Sequence, residues 1–315
     1  MHTFLPKDGA FYKANLHGHS TLSDGKLTPE QLRDLYRSHG YSIFAYTDHR
    51  DYHDHRNLTQ PDFLPIVSFE ADLTEENGKD WPCRKTYHLN FYDTCPDEYT
   101  KAKSQSLMPR CAYEDKDGIN TYIAEMNRLG FLCCYNHPYW SLQDFRDYTG
   151  LEGLFAMEVY NHGCEGDGLY GAHPQVYDEM LRSGQRLFCL ATDDNHNRAP
   201  IGSPYSDSFG GFTMIKAEGL SYPFVMHALK AGHFYASTGP EIHEFYMDGN
   251  TVHIACDPVT KIYLKTDTRD CYIRLAENGE TVTGASFTLK GAEKYIRLEC
   301  VDASGRRAYS NAYDV

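Results

Sequence analysis

His17-Gly18-His19 closes the short apolar stretch Tyr12 to Leu16 and is followed within a few residues by Ser23-Asp24-Gly25. Residues i and i+2 of a strand point to one face, so both imidazoles leave the backbone side by side, as two ligands of one metal ion must. The same grammar recurs down the chain. Thr47-Asp48-His49 closes Ser42 to Tyr46, Glu70 closes Leu64 to Phe69, and His88 lies within Thr86 to Tyr92. His137-Pro138 follows Phe131 to Tyr135, and Asp193-Asp194-Asn195-His196 follows Leu187 to Thr192. Mixed histidine and carboxylate donors suit Zn²⁺, Mn²⁺ or Fe²⁺ and not Mg²⁺ or Ca²⁺, which prefer oxygen shells.

Such ligands need elements that bring them together. Thr28-Pro29-Glu30-Gln31 is a capping box with proline at the first helical position, and its helix runs to Ser38 with Gly40 just beyond. Further helices are predicted from about Asn120 to Leu129, from Gln175 to Arg182 and from Tyr222 to Lys230. Strands alternate with these helices, so the pattern is a repeated βα unit with parallel strands. Ligands at nearly every strand end favour a closed or nearly closed barrel over an open sheet, where ligands gather at one switch point. After Gly239-Pro240 the texture changes to short alternating segments, such as Thr251 to Ala255 and Tyr295 to Val301, separated by Asp248-Gly249, Asn278-Gly279 and Ser304-Gly305. These predict a small antiparallel β-sandwich.

In order and composition, HxH with SDG, TDH, a lone Glu, a His before apolar residues, HP and DxH resemble the PHP family, the polymerase and histidinol phosphatase superfamily of metal-dependent phosphoesterases, over roughly residues 14 to 200. The segment Ala228 to Gly239 is similar to the end of the catalytic domain in its small bacterial branch. The resemblance implies a distorted (β/α)7 barrel over residues 1–239, followed by a small all-β domain over residues 240–315. It also implies two to three divalent transition-metal ions. The first would be held by His17, His19, Glu70 and Asp194; the second by a bridging Glu70 with His88 and His137; the third by Asp24, His49 and His196. Some PHP branches place a histidine where this chain has Asp24, which makes occupancy of the third site the least secured by the resemblance.

Several residues have plainer readings. Asp194 is favoured over Asp193 because it stands two residues before His196 and, in extended backbone, shares its face; Asp193 is left as a supporting partner. His53-Asp54-His55 lies in a polar loop and is read as solvated. His137-Pro138 alone would pass for a strand-ending turn, since proline cannot continue a central strand. Asp48 is expected to support His49. No GxSxG elbow or P-loop glycine run is present. Proton donation to a leaving oxygen is left to water or to a residue such as His162 or His233.

The formal charge of −14 and the absence of a Lys/Arg cluster argue against a nucleic-acid-binding surface. Ten cysteines without a CxxC pair are expected to be free thiols. No apolar run approaches the ~20 residues of a membrane span, and Met1 to Ala10 lacks the basic and apolar parts of a signal peptide, so a cytoplasmic location with no membrane partner is expected. The expected reaction is hydrolysis of a small phosphomonoester, such as a nucleotide or sugar phosphate, by a hydroxide bridging two ions of a trinuclear site. A phosphodiesterase or amidohydrolase-like reaction at the same centre is the alternative, and a binding protein using the β-domain a further one. Arg84, Lys85, Asn161, His162 and Arg198 are candidate substrate contacts by position; the oligomeric state is left open.

Overall fold

A computed structural model of the chain describes residues 2–98 and 107–315. The strands are His2–Thr3 (β1), Ala10–Asn15 (β2), Ile43–Tyr46 (β3), Leu64–Thr74 (β4), Thr86–Asp93 (β5), Phe131–Tyr135 (β6), Ala156–Asn161 (β7), Phe188–Thr192 (β8), Phe212–Ala217 (β9) and Phe234–Ser237 (β10). They are followed by Ile242–Asp248 (β11), Thr251–Val259 (β12), Lys261–Thr266 (β13), Tyr272–Leu275 (β14), Val282–Thr288 (β15), Tyr295–Val301 (β16), Arg307–Ser310 (β17) and Tyr313–Asp314 (β18). The helices are Pro29–Ser38 (α1), Lys116–Arg128 (α2), Phe145–Tyr148 (α3), His162–Gly166 (α4), Pro174–Arg182 (α5) and Tyr222–Ala231 (α6).

The architecture is mixed α/β, with one large sheet in the order β14-β13-β16-β17-β10-β9-β2-β3-β4-β5-β6-β7-β8 and a separate antiparallel sheet β1-β11-β12-β15. Strands expected to be parallel throughout are so in two runs, β2-β3-β4 and β6-β7-β8. β5 runs antiparallel to both its neighbours, and β9 antiparallel to β2. The cause at β5 is its connection: residues 75–85 hold a single short turn, Trp81–Cys83, and no crossover helix, which a parallel neighbour would need.

β8 and β9 are joined by side chains and not by a ladder. The Thr213 hydroxyl donates to the Ala191 carbonyl at 3.0 Å and accepts from the Ala191 N–H at 3.3 Å. Asn311 accepts from the Cys189 N–H and donates to the carbonyls of Gly232 and Phe234, each at 3.0 Å.

Local signals explain the helices. α1 has its capping box: Thr28 accepts from the Gln31 N–H, and the Gln31 side chain accepts from the Thr28 N–H. Its apolar face buries Leu32 and Tyr36. α2 begins four residues before the expected Asn120, because Asp115 caps it by accepting from the Gly118 N–H at 2.9 Å. A Cβ on Gly118 would lie 2.3 Å from that carboxylate, so a residue that reads as a breaker is what lets the cap close.

The all-β C-terminal segment is tied to the rest across residue 239. β17 pairs with β10, and the N-terminal β1 pairs with β11. Phe245, Val252 and Ile254 of the separate sheet share one apolar core with Ile262, Leu264 and Leu298 of the large sheet and with Phe4 and Leu5. Each such fully buried side chain contributes roughly 1.5–3 kcal/mol. No helix among the described residues is long and apolar enough to cross a membrane.

Candidate metal centre

Gly18 makes the first wall possible. A Cβ there would fall 2.4 Å from Asn195 Oδ1 and 2.5 Å from the Phe44 ring, so only glycine lets the His17–His19 segment lie against Asn195. That contact is secured by the Asp194 N–H donating to His17 O at 2.9 Å and the His19 N–H donating to Asn195 O at 3.0 Å. The loop carrying Asp24 is folded by Asp48, which accepts from the Ser20 N–H, the Ser20 hydroxyl and the Ser23 hydroxyl at 2.7–2.8 Å. Gly25 packs where a Cβ would meet His19 O at 2.1 Å. His49 is drawn beside Glu70 by the Arg50 N–H donating to Glu70 O at 2.8 Å.

Glu70 is inside β4 and not at its end, since the strand continues to Thr74. His88 stands near the start of β5, opposite Asp72. The antiparallel run of β5 therefore delivers its first residues to the rim where the parallel strands deliver their last. Asp194 does face the cluster, but at φ 53°: a turn aims it, and not the alternation of an extended chain. His137, at φ 24°, also occupies the sparsely populated positive-φ region, where strained functional residues concentrate.

All nine candidate ligands converge. His17 Nε2 is 3.1 Å and His19 Nε2 3.0 Å from Asp194 Oδ1, and the two nitrogens are 3.2 Å apart. Glu70 has His49 Nδ1 at 2.9 Å, His88 Nδ1 at 3.0 Å, His17 Nε2 at 3.4 Å and His137 Nε2 at 3.5 Å. Asp24 Oδ1 lies 3.2 Å from His196 Nε2 and 3.8 Å from His49 Nε2. Four overlapping groups of ligand atoms, each within 4.8 Å of one another, result: His19, Asp24, His49 and His196; His17, His19 and Glu70; His17, His137 and Asp194; His49, Glu70 and His88.

The donor set fits a cation. His17 Nδ1 is 2.7 Å from Glu158 Oε1, the partner for its proton, which leaves the Nε2 lone pair aimed at Asp194 and Glu70, themselves acceptors. Buried Asp24 Oδ1 and Glu70 Oε2 make no hydrogen bond of normal geometry among the described residues, although His196 Nε2 and His49 Nδ1 stand 3.2 and 2.9 Å from them. Buried acceptors that face each other are costly unless a positive charge lies between them.

Burial opposes charge on these groups, and at His17, Glu70 and His49 their mutual field overcomes it. Asp194, Glu70 and Glu158 outweigh burial at His17 and raise its pKa well above the ordinary imidazole value. Around Glu70, His88, His17 and His49 outweigh burial and hold the carboxyl well below its ordinary range. His49 is raised to about 9, with Glu70 overcoming burial. His19 is pushed down to about 4 by burial, with the protonated neighbours His196 and His49 adding to the effect against Asp194.

A folded-state pKa above the unfolded one gives His49 a stabilising contribution that is complete below about 6.5 and lost as pH rises through about 9 in metal-free protein. The melting temperature of chelated protein is expected to fall as pH is raised across that window, and less steeply in a His49→Gln variant. A flat or rising profile would contradict this charge pattern.

One carboxylate of the centre was not anticipated. Glu158, inside β7 and fully buried, accepts from Thr192 Oγ1 at 2.6 Å, Asn161 Nδ2 at 2.9 Å and the His137 N–H at 3.0 Å besides holding His17. It orients two ligands from behind, the role an outer carboxylate plays toward metal-bound histidine. Its signal was available as an acid flanked by Met157 and Val159 in an apolar strand. Asp193 points away, accepting from Tyr36 Oη and from the N–H groups of Phe209, Gly210 and Gly211 at 2.8–2.9 Å, and so fixes the chain that enters β9.

A pocket of about 650 Å³ opens over the cluster. Among the five candidate substrate contacts, Arg198 lines it, its Nη2 donating to Asp24 Oδ2 at 2.8 Å. The other four are placed elsewhere. Arg84 Nε donates to Lys79 O at 2.7 Å, and Lys85 Nζ pairs with Asp147 at 2.6 Å. Asn161 is buried behind Asp194, donating to its Oδ2 at 3.1 Å, because it also caps α4. His162 packs against Gly210 and lies 3.1 Å from Tyr160 Oη. His233 follows α6 beside His227, away from the pocket. His55, expected to be solvated, is buried against Tyr46, and neither it nor His53 joins a ligand group among the described residues.

No family model and no curated protein matches the sequence. Solved structures are similar. A two-domain protein containing a predicted PHP-like metal-dependent phosphoesterase from Bacteroides vulgatus is 17% identical, with a TM-score of 0.47, over 100% of this chain and 98% of that one. A protein from Bifidobacterium adolescentis assigned as a metal-dependent phosphoesterase is 12% identical, with a TM-score of 0.40, over 63% and 91%. An amidohydrolase from Chromobacterium violaceum with bound sulfate is 13% identical, with a TM-score of 0.35, over 55% and 84%.

Proposed function

We propose that the chain is a metal-dependent phosphoesterase that hydrolyses small phosphomonoesters. The observation that carries it is the convergence of nine histidine and carboxylate ligands, seven of which line one pocket while His17 and His19 are fully buried. The first ion would be held by His17, His19, Glu70 and Asp194, the second by Glu70, His88 and His137, and the third by Asp24, His49 and His196. Ions of the Zn²⁺, Mn²⁺ or Fe²⁺ type supply a water of lowered pKa and neutralise charge on phosphoryl oxygens. Glu158 keeps the His17 Nε2 lone pair directed inward by accepting the hydrogen bond of Nδ1–H, and the Arg198 guanidinium stands at the lip, where a phosphoryl oxygen can share it with Asp24.

Charge sets the size of the phosphorylated group. Six carboxylates and two guanidiniums line the pocket, a formal −4 once its histidines are neutral, as metal ligands are. Two divalent ions bring it to neutrality and a third makes it positive, which suits one phosphoryl dianion and not a polyanionic strand. In this reading residues 1–239 supply every ligand and residues 240–315 form the β-module that braces them; the distorted barrel would close between β8 and β9 at the Thr213 contacts, a ring of eight strands, β2 to β9, where seven were expected. The partner is a small phosphorylated molecule in the cytoplasm, with neither nucleic acid nor membrane required.

Phosphate release across sugar phosphates, nucleoside monophosphates and one phosphodiester tests this directly. Turnover of a monoester is expected, lost on chelation and restored by Mn²⁺ or Zn²⁺. A protein that binds metal yet releases phosphate from no monoester would overturn it, and turnover of the diester alone would move the activity to phosphodiester cleavage.

A further inference from the structure

The chain has two tryptophans, and both line the pocket above the ligand cluster. Trp140 follows His137 by three residues, with its ring centroid 5.1 Å from the rings of both His88 and His137. Trp81 meets Trp140 edge-on at 5.8 Å and 66°. It stands on the turn between β4 and β5 with 59% of its surface in water. Tyr205, 80% exposed, adds a third ring to the same pocket. Large apolar rings held in water at the rim of a polar cleft mark a place where a ligand completes the contact.

Both guanidiniums that line the pocket already have carboxylate partners: Arg50 makes two hydrogen bonds of 2.5 Å to Asp72, and Arg198 is held by Asp24. What the rim offers to the part of a substrate beyond its phosphoryl group is therefore flat apolar surface. A planar ring covers an indole face with little loss of rotamer freedom, whereas an acyclic chain covers less of it and must be ordered.

We infer that Trp81 and Trp140 form a stacking platform for a planar aromatic ring in the organic portion of the substrate. The inference rests on the phosphomonoesterase reading for the placement of the phosphoryl group, and Trp140 sets the distance, since it touches two metal-ligand imidazoles on one side and Trp81 on the other.

Because the only tryptophans are those of the pocket, their emission reports this site. Zn²⁺-loaded protein is titrated with phenylphosphonate, methylphosphonate and benzyl alcohol, none of which presents a phosphoester bond to cleave. Phenylphosphonate is expected to perturb the emission and to bind about tenfold more tightly than methylphosphonate, the scale of one ring stacked on an aromatic side chain. Trp81→Ala, at an exposed position where the fold is not at stake, is expected to bring that ratio close to one, and Trp81→Phe to restore part of it. Equal binding of the two phosphonates, or an undiminished ratio in Trp81→Ala, overturns the platform while leaving the phosphoryl site standing. Perturbation by benzyl alcohol with no binding of either phosphonate keeps the platform and removes the phosphoryl reading.

Discussion

A Glu70→Gln protein is expected to lose phosphate release by about a thousandfold or more, the scale of several kcal/mol of charge stabilisation in a metal-assisted reaction. Five imidazoles have a nitrogen within 3.6 Å of the Glu70 oxygens, those of His17, His19, His49, His88 and His137. An amide of the same shape has one acceptor oxygen, and its NH₂ group would face several of these nitrogens, so it cannot serve both sides of the cluster. Metal content should fall in parallel with activity, as read by elemental mass spectrometry on the purified variant. Activity within tenfold of the unmodified protein, at full metal content, would remove Glu70 from the shared position.

Glu158 carries the second large effect. It touches no part of the pocket, yet four groups depend on it: the His17 ring, the Thr192 hydroxyl, the Asn161 amide and the His137 N–H. Glu158→Gln keeps the volume and loses the charge that fixes His17, and metal affinity is expected to fall ten- to a hundredfold, in line with outer carboxylates at other metal sites. Glu158→Ala strands the buried donors as well, at roughly 1–3 kcal/mol each, and should lower the melting temperature markedly. Metal titration of the folded Gln variant is the deciding measurement, because unchanged affinity there would make Glu158 a packing residue only.

The contrast between Glu70 and Glu158 shows what the sequence could reveal. Ligands such as His17, His49, His137 and His196 stand at or just past the ends of apolar runs, where a polar residue is visible against its surroundings. Glu158, like Glu70, is an acid inside an apolar strand, but it acts one layer behind the ligand cluster, at a position that no motif of the series marks. The direction of β5 was legible in part. Thr86, His88 and Asn90 alternate with Tyr87, Leu89 and Phe91, the pattern of an antiparallel strand, although the fold buries all eight residues of the strand. The missing crossover helix in residues 75–85 points the same way. Asp194 was chosen over Asp193 on strand alternation, whereas the chain turns there at φ 53° and the aspartate reaches the cluster by that turn. The C-terminal β segment was legible as strands from its turn pairs, but its pairing with β10 and with the N-terminal β1 depends on contacts across the whole chain.

The claim on which everything else depends is that these nine side chains hold divalent ions. Anomalous X-ray diffraction from crystals of the protein equilibrated with Mn²⁺ tests it most directly. Two or three peaks are predicted, one bounded by His17, His19, Glu70 and Asp194, one by Glu70, His88 and His137, and the third, where occupied, by Asp24, His49 and His196. Saturating Mn²⁺ with no peak among these residues would contradict the account.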